Sequence, residues 1–299
     1  MLFFKKSSAN HSSDFEDFRR IIGEDTPFAI RESFRTLYTN VLYLPIEDKC
    51  KKIAITSAFS GEGKTYVTVN LALTIAKNAP EQRVLIVDAD MRNPRVTRIL
   101  NMRKSGRHGL SEFLAGIDEE PAFLETEYPN LWILPSGAKN SNTLGLISST
   151  KMKTLIDLCQ DKFDYILFDT PPVNLVSDGV LLNDYINGYL LIARADYSDI
   201  SSVSDMLDAL ERVNANVFGF VLSSVNMSKT HGRYGKYGRY GRYGRYSAYY
   251  YDKPKSRGQS GDTQAQTDSN NTQPTDTDAQ ANDSIEQSVE EITPPTEEN

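Results

Sequence analysis

The sequence is poor in the residues that build disulfide or metal scaffolds. It has two cysteines, Cys50 and Cys159, with three histidines and one tryptophan among 299 residues. Two cysteines cannot form a disulfide framework and fit a reducing compartment. With so few histidines to help, they also cannot assemble a structural zinc site. We therefore expect two half-buried, unpaired thiols.

Long hydrophobic runs are also missing. No apolar stretch approaches the roughly 18–20 residues needed to cross a bilayer. Lys5 and Lys6 are followed by polar residues, so the amino terminus lacks the apolar core of a signal peptide. These absences predict a cytoplasmic chain.

Charge is distributed unevenly. The chain has 33 basic and 40 acidic residues and a net charge of −7. Gln259 to Asn299 has ten acidic residues and no lysine or arginine, whereas His231 to Gly258 has eight basic residues and one aspartate. The second segment therefore has a charge of +7, which leaves −4 on residues 1–230. A mildly acidic body thus precedes a basic segment and an acidic tail.

The body has the pattern of one α/β domain, a class that suits roughly 200–250 residues. A helix is expected from Phe28 to Leu44, with an apolar face made by Ile30, Phe34, Leu37 and Val41. The expected strands are Lys52–Thr56, Val84–Val87, Leu131–Leu134, Tyr165–Phe168, Tyr189–Ala193 and Val217–Ser223. The later helices are Lys64–Lys77, Ser149–Cys159 and Ile200–Val213. Apolar strands that alternate with helices predict a doubly wound, mostly parallel sheet with helices on both faces.

After Lys229 this pattern stops. Gly232 to Tyr246 repeats Gly-Arg/Lys-Tyr, and from Ser256 polar residues dominate, a composition typical of disorder. We expect four regions: a polar arm (1–27), the folded domain (28–230), a tyrosine cluster (231–251) and a disordered acidic tail (252–299).

The first chemical motif is Ala58–Thr65, with the sequence AFSGEGKT. It follows an apolar strand and opens a helix, which is the context of a phosphate-binding loop. Gly61 and Gly63 let backbone N–H groups turn toward phosphates, and the helix N-terminus adds partial positive charge. Lys64 is expected to reach the β- and γ-phosphates of ATP, and Thr65 to ligate Mg²⁺.

The second motif places Asp88 and Asp90 two residues apart, just past a buried strand. This is the sheet edge where ligands bind in open α/β folds. The two carboxylates can serve as Mg²⁺ ligand and as base for an attacking hydroxyl, with Asp88 the preferred proton acceptor. Alternatively, they form a strand-end turn that caps the next helix. Arg92 is either a contact to phosphate or to an acidic side chain, or a surface ion pair.

The third motif is a strand closed by Asp169. An apolar run that ends in one aspartate is typical of the metal-side strand in a phosphate-loop NTPase. We expect the catalytic residues to be Lys64, Asp88 and Asp90. The expected Mg²⁺ ligands are Thr65, Asp90 and Asp169. The expected nucleotide-binding residues are Ser60, Gly61, Glu62, Gly63, Lys64, Thr65, Tyr66 and Arg92.

Together the motifs resemble the cytoplasmic catalytic domain of the bacterial tyrosine kinases (BY-kinases). The three boxes of that family correspond to Ala58–Thr65, Val84–Arg92 and Ile166–Pro171. Gly109–Gly116 and Leu134–Gly137 are also similar to family segments, and the resemblance extends from about Phe28 to Tyr251. It implies a P-loop NTPase fold that uses ATP and Mg²⁺.

The resemblance further implies autophosphorylation in trans and control of capsule or exopolysaccharide synthesis and export. The implied target tyrosines are Tyr234, Tyr237, Tyr240, Tyr243, Tyr246, Tyr249, Tyr250 and Tyr251. The implied partners are a transmembrane polysaccharide co-polymerase that recruits the kinase to the membrane and activates it, a phosphotyrosine phosphatase, and further copies of the chain. Nucleic acid is not an expected partner.

Some positions depart from family patterns. The family's Glu-x-x-Arg-x-x-Arg helix for subunit contact is present as Glu32 and Arg35, but Tyr38 stands in the last place. Ser223 stands where many members have asparagine near the nucleotide base. Partition and septum-placement ATPases have a signature lysine where this chain has Phe59, which argues against that alternative. A second alternative is single-stranded nucleic-acid binding by the Gly-Arg-Tyr repeat.

Overall fold

The computed structural model describes residues 21–102, 108–140 and 142–225. Its centre is a seven-stranded sheet in the order β3-β4-β2-β5-β1-β6-β7, parallel except for the antiparallel β3–β4 pair. The strands are β1 (Lys51–Ser57), β2 (Val84–Asp88), β3 (Leu124–Glu125), β4 (Leu131–Leu134), β5 (Tyr165–Asp169), β6 (Gly188–Arg194) and β7 (Val217–Ser223). The expected doubly wound fold is confirmed.

Seven helices and one 3₁₀ helix are present in the described residues. They are α1 (Phe28–Leu42), α2 (Lys64–Asn78), α3 (Val96–Ile99), α4 (Leu110–Leu114), α5 (Thr143–Ile147), α6 (Thr150–Gln160), the 3₁₀ helix Val180–Tyr185, and α7 (Ile200–Glu211). The longer helices and all six expected strands lie within about two residues of the bounds expected from the sequence. The elements that the sequence did not predict are β3, α3, α4, α5 and the 3₁₀ helix.

The core lies in two layers, one on each face of the sheet. Because strand side chains alternate, Ile53 and Ile55 of β1 pack toward α1 and α2, while Ala54 packs toward the opposite layer. That opposite layer is formed by α4 to α7 and the 3₁₀ helix. The central strands β1, β2 and β5 are almost wholly buried, as expected for parallel strands covered on both faces.

The packed face of α1 differs in part from the expected one. Phe34 and Val41 are buried and Leu37 packs against the core, as expected. Ile30, however, is 40% exposed, so it does not belong to the packed face. Tyr38 lies against the core instead.

The part of the amino-terminal arm that is described lies against α2. Ile22 donates its backbone N–H to Asn70 Oδ1 at 2.8 Å, and its carbonyl accepts from Lys77 Nζ at 3.1 Å. Cys50 and Cys159 are buried and unpaired, more deeply than the half-burial expected. In the described ranges, no helix combines the length and apolarity that a membrane span requires. Residues 1–20 and 226–299 lie outside the described residues, so the expected tyrosine cluster and acidic tail stay predictions.

Candidate active site

The sheet topology brings the three motifs to one edge. Strand β5 pairs with β1 on one side and β2 on the other, all three parallel. Asp88 at the end of β2 is directly opposite Asp169 at the end of β5. The loop that follows β1 leads into α2 at the same edge. Motifs that together span residues 58 to 169 of the sequence thus form one site.

The phosphate loop, residues 58–65, has a backbone that its glycines make possible. Gly61 and Gly63 have φ angles of 88° and 105°, in the left-handed region that favours glycine. Within the described residues, the N–H groups of Ser60, Gly61 and Gly63 donate no hydrogen bond. Free amide donors at the start of a 15-residue helix form an anion-binding site.

Lys64 is nearly buried, with 7% of its surface exposed. Its Nζ donates a long hydrogen bond of 3.5 Å to the carbonyl of Phe59. Burial lowers the pKa of the Lys64 ammonium, and the negative charges of Asp169, Asp90 and Glu62 oppose that shift. The ammonium thus lies in a field set by the carboxylates of the other two motifs.

Asp169 is the point where the motifs meet. Burial raises the pKa of its carboxyl to about 7, and the charge of Asp90 acts in the same direction. A hydrogen bond from Thr65, the charge of Lys64 and a bond from Thr68 at 3.4 Å act to lower that pKa. A hydroxyl beside a carboxylate at the end of a phosphate loop is the donor set that magnesium-nucleotide sites use.

Asp88 is fully buried with one oxygen unsatisfied. Its Oδ2 accepts from the backbone N–H of Val96 at 3.2 Å, whereas Oδ1 has no hydrogen-bond partner within the described residues. Burial and the nearby charge of Asp169 raise the pKa of the Asp88 carboxyl well above its usual value. An unpaired buried carboxylate oxygen with high proton affinity is the signature of a functional group.

Asp90 is half-buried and takes part in a turn. Its Oδ1 accepts from the backbone N–H of Asn93 at 3.0 Å. The Asp90 bond to Asn93 closes a turn after β2, and the Asp88 bond reaches the first residue of α3, so the strand-end turn that the sequence left as an alternative is present. They coexist with the convergence on Asp169, because each carboxylate has a second oxygen.

No three acidic, histidine or cysteine side chains of the described residues gather into a metal cage. Mg²⁺ does not require one, since it binds through one or two carboxylates together with phosphate oxygens and water. The residues present therefore fit a magnesium ion brought by a nucleotide. Thr65, Asp90 and Asp169 are the side chains available to it.

Arg92 lies beside an acidic side chain, one of the alternatives that the sequence left open. Its Nε donates to Asp178 Oδ2 at 2.6 Å and its Nη2 to Asp178 Oδ1 at 3.1 Å. Thr143 joins both residues, because it accepts from Arg92 at 2.8 Å and donates to Asp178 at 2.7 Å. A nucleotide contact by Arg92 stays a prediction.

The remaining expected site residues lie apart from the carboxylates. The ring of Tyr66 packs edge-on against Phe34, with centroids 5.7 Å apart, so only its backbone is close to the loop. Glu32 and Arg35 form an exposed pair at 2.6 Å within α1. Their expected role in subunit contact and that of Tyr66 in nucleotide binding are untested. The eight expected target tyrosines lie outside the described residues.

Sequence reasoning missed the residues that hold the phosphate loop from outside. Arg194 Nη1 donates to the Gly61 carbonyl at 3.1 Å, and Tyr197 OH to the Ser60 carbonyl at 3.3 Å. Ser198 bonds the Glu62 carboxylate, and Ser223 Oγ donates to the Glu62 carbonyl at 2.5 Å. No motif marks the first three, and Ser223 stood out only as a departure from the family pattern.

The chain is similar to known proteins. Residues 50–218 match the AAA domain family. Tyrosine-protein kinase CpsD of Streptococcus agalactiae is 32% identical over 205 residues, which cover 68% of this chain and 87% of that protein. Tyrosine-protein kinase ptk of Acinetobacter johnsonii is 31% identical over 198 residues, 66% of this chain. The chain spans only about a quarter of the ptk protein, 26% of its length.

A solved structure is also similar. The kinase domain of the Escherichia coli tyrosine kinase ETK is 29% identical, with a TM-score of 0.60, and the match covers 68% of this chain and 80% of that one. The resemblance stated from the sequence motifs is thus confirmed. The chain belongs to the AAA domain family and, within it, to the bacterial tyrosine kinases.

Proposed function

We propose that this protein is an ATP-dependent protein-tyrosine autokinase that phosphorylates its own tyrosine cluster, Tyr234 to Tyr251, in trans. We further propose that it thereby regulates capsule or exopolysaccharide synthesis and export. The observation that supports this most is the meeting of Lys64, Thr65 and Asp90 at Asp169, beside a loop with free amide donors. A phosphoryl group needs positioning and charge neutralisation more than covalent chemistry, and these groups supply both.

In this proposal, positively charged and N–H groups bind phosphate, whereas the hydroxyl and carboxylate groups bind the metal ion. The loop amides and Lys64 hold and neutralise the phosphates of ATP, while Thr65, Asp90 and Asp169 hold Mg²⁺. When bound, Mg²⁺ supplies positive charge to the phosphate oxygens. Asp88 accepts the proton of the incoming tyrosyl hydroxyl through Oδ1, which has no hydrogen-bond partner in the described part of the chain.

Phosphorylation would reverse the charge of the tyrosine segment. Residues 231–258 have a net charge of +7, and each phosphate adds about −1.5 to −2, so eight phosphotyrosines add about −12 to −16. We propose that this reversal releases the segment from acidic surfaces of neighbouring subunits and loosens the assembly. Light scattering of a fully phosphorylated chain and of a chain with all eight tyrosines changed to phenylalanine tests this. Equal assembly sizes contradict it.

Partners follow from the same proposal. We propose that a transmembrane co-polymerase recruits the chain to the inner face of the membrane and activates it. We also propose a phosphatase that removes phosphate from the tyrosines. Longer relatives such as ptk contain further regions that this chain does not match, since the match covers 26% of the ptk protein.

The test is incubation of the purified chain with ATP and Mg²⁺, followed by phosphotyrosine blotting and mass spectrometry of residues 226–251. We expect phosphate on the tyrosine cluster and its loss in Lys64→Met. The control is Lys153→Met, since Lys153 is 76% exposed on α6 and forms only a loose pair with Asp157. In a mixture, wild-type chain should phosphorylate the inactive Lys64→Met chain, which establishes transfer in trans.

The other outcomes identify the alternatives. ATP hydrolysis without any phosphotyrosine indicates a switch of the partition or septum-placement type. RNA affinity that falls steeply with salt and survives Lys64→Met indicates nucleic-acid binding. The structure gives no support to the first alternative at its signature position, because Phe59 packs against the core there.

A further inference from the structure

Glu62 places a carboxylate in the middle of the phosphate loop. It lies between Gly61 and Gly63, and none of its surface is exposed. A carboxylate that faced the bound phosphates would repel them, and a buried carboxylate without partners is costly. The contacts of Glu62 show how the loop accommodates it.

Both oxygens of the Glu62 carboxylate accept hydrogen bonds, and neither bond involves the N–H groups of Ser60, Gly61 or Gly63. Oε2 accepts from the backbone N–H of Phe59 at 2.7 Å, which closes the loop on itself. Oε1 accepts from the hydroxyl of Ser198. The negative charge of Glu62 also supports the protonated form of the neighbouring Lys64.

Ser198 is held rigidly by the turn between β6 and α7. Its Oγ accepts from the Arg194 N–H at 2.8 Å, and its own N–H donates to the Arg194 carbonyl at 2.9 Å. The Ser198 hydroxyl therefore has one proton left to donate, and it donates to Glu62. A side chain fixed in this way defines where the Glu62 carboxylate lies.

A second bond fixes the backbone of the same residue. Ser223, at the end of β7, donates from Oγ to the Glu62 carbonyl at 2.5 Å. Together with Arg194 and Tyr197, which bond the Gly61 and Ser60 carbonyls, it engages three successive carbonyls of the loop. Among the described residues, the N–H groups of Ser60, Gly61 and Gly63 have no acceptor. Carbonyls that are held from outside leave the amides available to an anion.

We propose that Glu62 and Ser198 are positioning residues that set the affinity of the phosphate loop for nucleotide. They act through the loop backbone and need not touch the phosphates. The inference deepens the proposed function, because it rests on the phosphate loop's binding a nucleotide. It does not depend on phosphate transfer to tyrosine.

The test measures binding of Mg²⁺·ADP to the purified full chain by isothermal titration calorimetry. Ser198→Ala removes a hydrogen bond to a carboxylate, so we expect the Kd to rise about tenfold. Ser198→Thr keeps the hydroxyl and should bind within about twofold of wild type. Ser204→Ala is the control, because Ser204 is exposed on α7 and its side chain makes no hydrogen bond in the described residues. Its Kd should not change.

Thermal unfolding without nucleotide separates positioning from folding. We expect Ser198→Ala to unfold within a few degrees of wild type and still bind ADP weakly. If Ser198→Ala does not fold, Ser223→Ala removes an independent bond to the same residue and should show the same rise in Kd. An unchanged Kd in the folded Ser198→Ala variant overturns the proposal. A rise in Kd in Ser198→Thr as large as that in Ser198→Ala also overturns it. Because ADP binding is read without phosphate transfer, failure of the kinase proposal leaves this result interpretable.

Discussion

Replacing Asp169 with asparagine should stabilise the protein without nucleotide, although it removes a carboxylate that we propose binds Mg²⁺. Asp169 is buried beside two other carboxylates, and burial raises the pKa of its carboxyl to about 7. Asparagine has nearly the same shape and keeps an oxygen that can accept from Thr65 and Thr68. The substitution therefore removes the cost of a buried charge while those two hydrogen bonds can persist.

The sign of the effect depends on pH. In the unfolded chain Asp169 loses its proton near pH 4, but in the folded chain it keeps the proton up to about pH 7. The folded state therefore loses stability as the pH rises from about 4 to 7. A shift of about three pKa units corresponds to at most about 4 kcal/mol. Because Asp88 and Asp90 contribute to the charge repulsion at this site, the energy cannot be assigned to Asp169 alone. We therefore expect Asp169→Asn to raise the free energy of unfolding by about 2 kcal/mol at pH 8.

Urea unfolding of the nucleotide-free protein measures this gain. The difference between Asp169→Asn and wild type should shrink to less than about half at pH 4.5, where the folded wild type still keeps its proton and so buries no charge at Asp169. Asp205→Asn on the exposed face of α7 is the matched control and should change stability by less than about 0.5 kcal/mol. A variant that is less stable than wild type at pH 8, or a gain that does not depend on pH, would refute the reasoning.

Three further predictions concern the rest of the domain. Arg92→Ala leaves the buried Asp178 without its ion pair, so the free energy of unfolding measured in urea should fall by about 2 kcal/mol. An unchanged free energy of unfolding would contradict a structural role for that pair. Phe34→Ala should lower the free energy of unfolding by about 3 kcal/mol, whereas Ile30→Ala should lower it by less than about 0.5 kcal/mol, because Phe34 is buried and Ile30 is exposed. Equal losses would mean that the packed face of α1 is misassigned. Burial raises the pKa of both cysteine thiols to about 12, so neither should react with a disulfide reagent at pH 8 until the chain unfolds, and rapid labelling of the native protein would argue against their burial.

The sequence predicted the parts of the fold that depend on local pattern. The apolar runs of β1, β2 and β5 were predicted because parallel strands buried on both faces are apolar throughout. The motifs at their ends were recognisable because they occur in a specific order: a glycine-rich loop, a strand followed by two aspartates, and a strand closed by one aspartate. The convergence of Lys64 and Asp90 on Asp169 followed from that order. Short elements such as α3 and β3 were missed, since four or two residues are too few for a period to be seen.

The rest of the site depends on strand pairing that local sequence does not encode. Ser198 reaches Glu62 across 136 residues and Ser223 across 161, because β6 lies beside β1 and β7 beside β6. Arg92 finds Asp178 86 residues away. Serine in a turn or at a strand end is common, so no sequence signal pointed to these contacts. Only the tertiary pairing gives them a partner.

The direct opposition of Asp88 and Asp169 on neighbouring strands makes their separation a property of the main chain. Hydrogen-bonded strands lie about 4.8 Å apart whatever side chains they bear. Helices on either face can therefore diverge between homologues while the gap between these two carboxyls stays constant. An insertion of one residue in β2 would instead turn its carboxyl to the opposite face of the sheet, a change that no adjustment of the surrounding helices could correct.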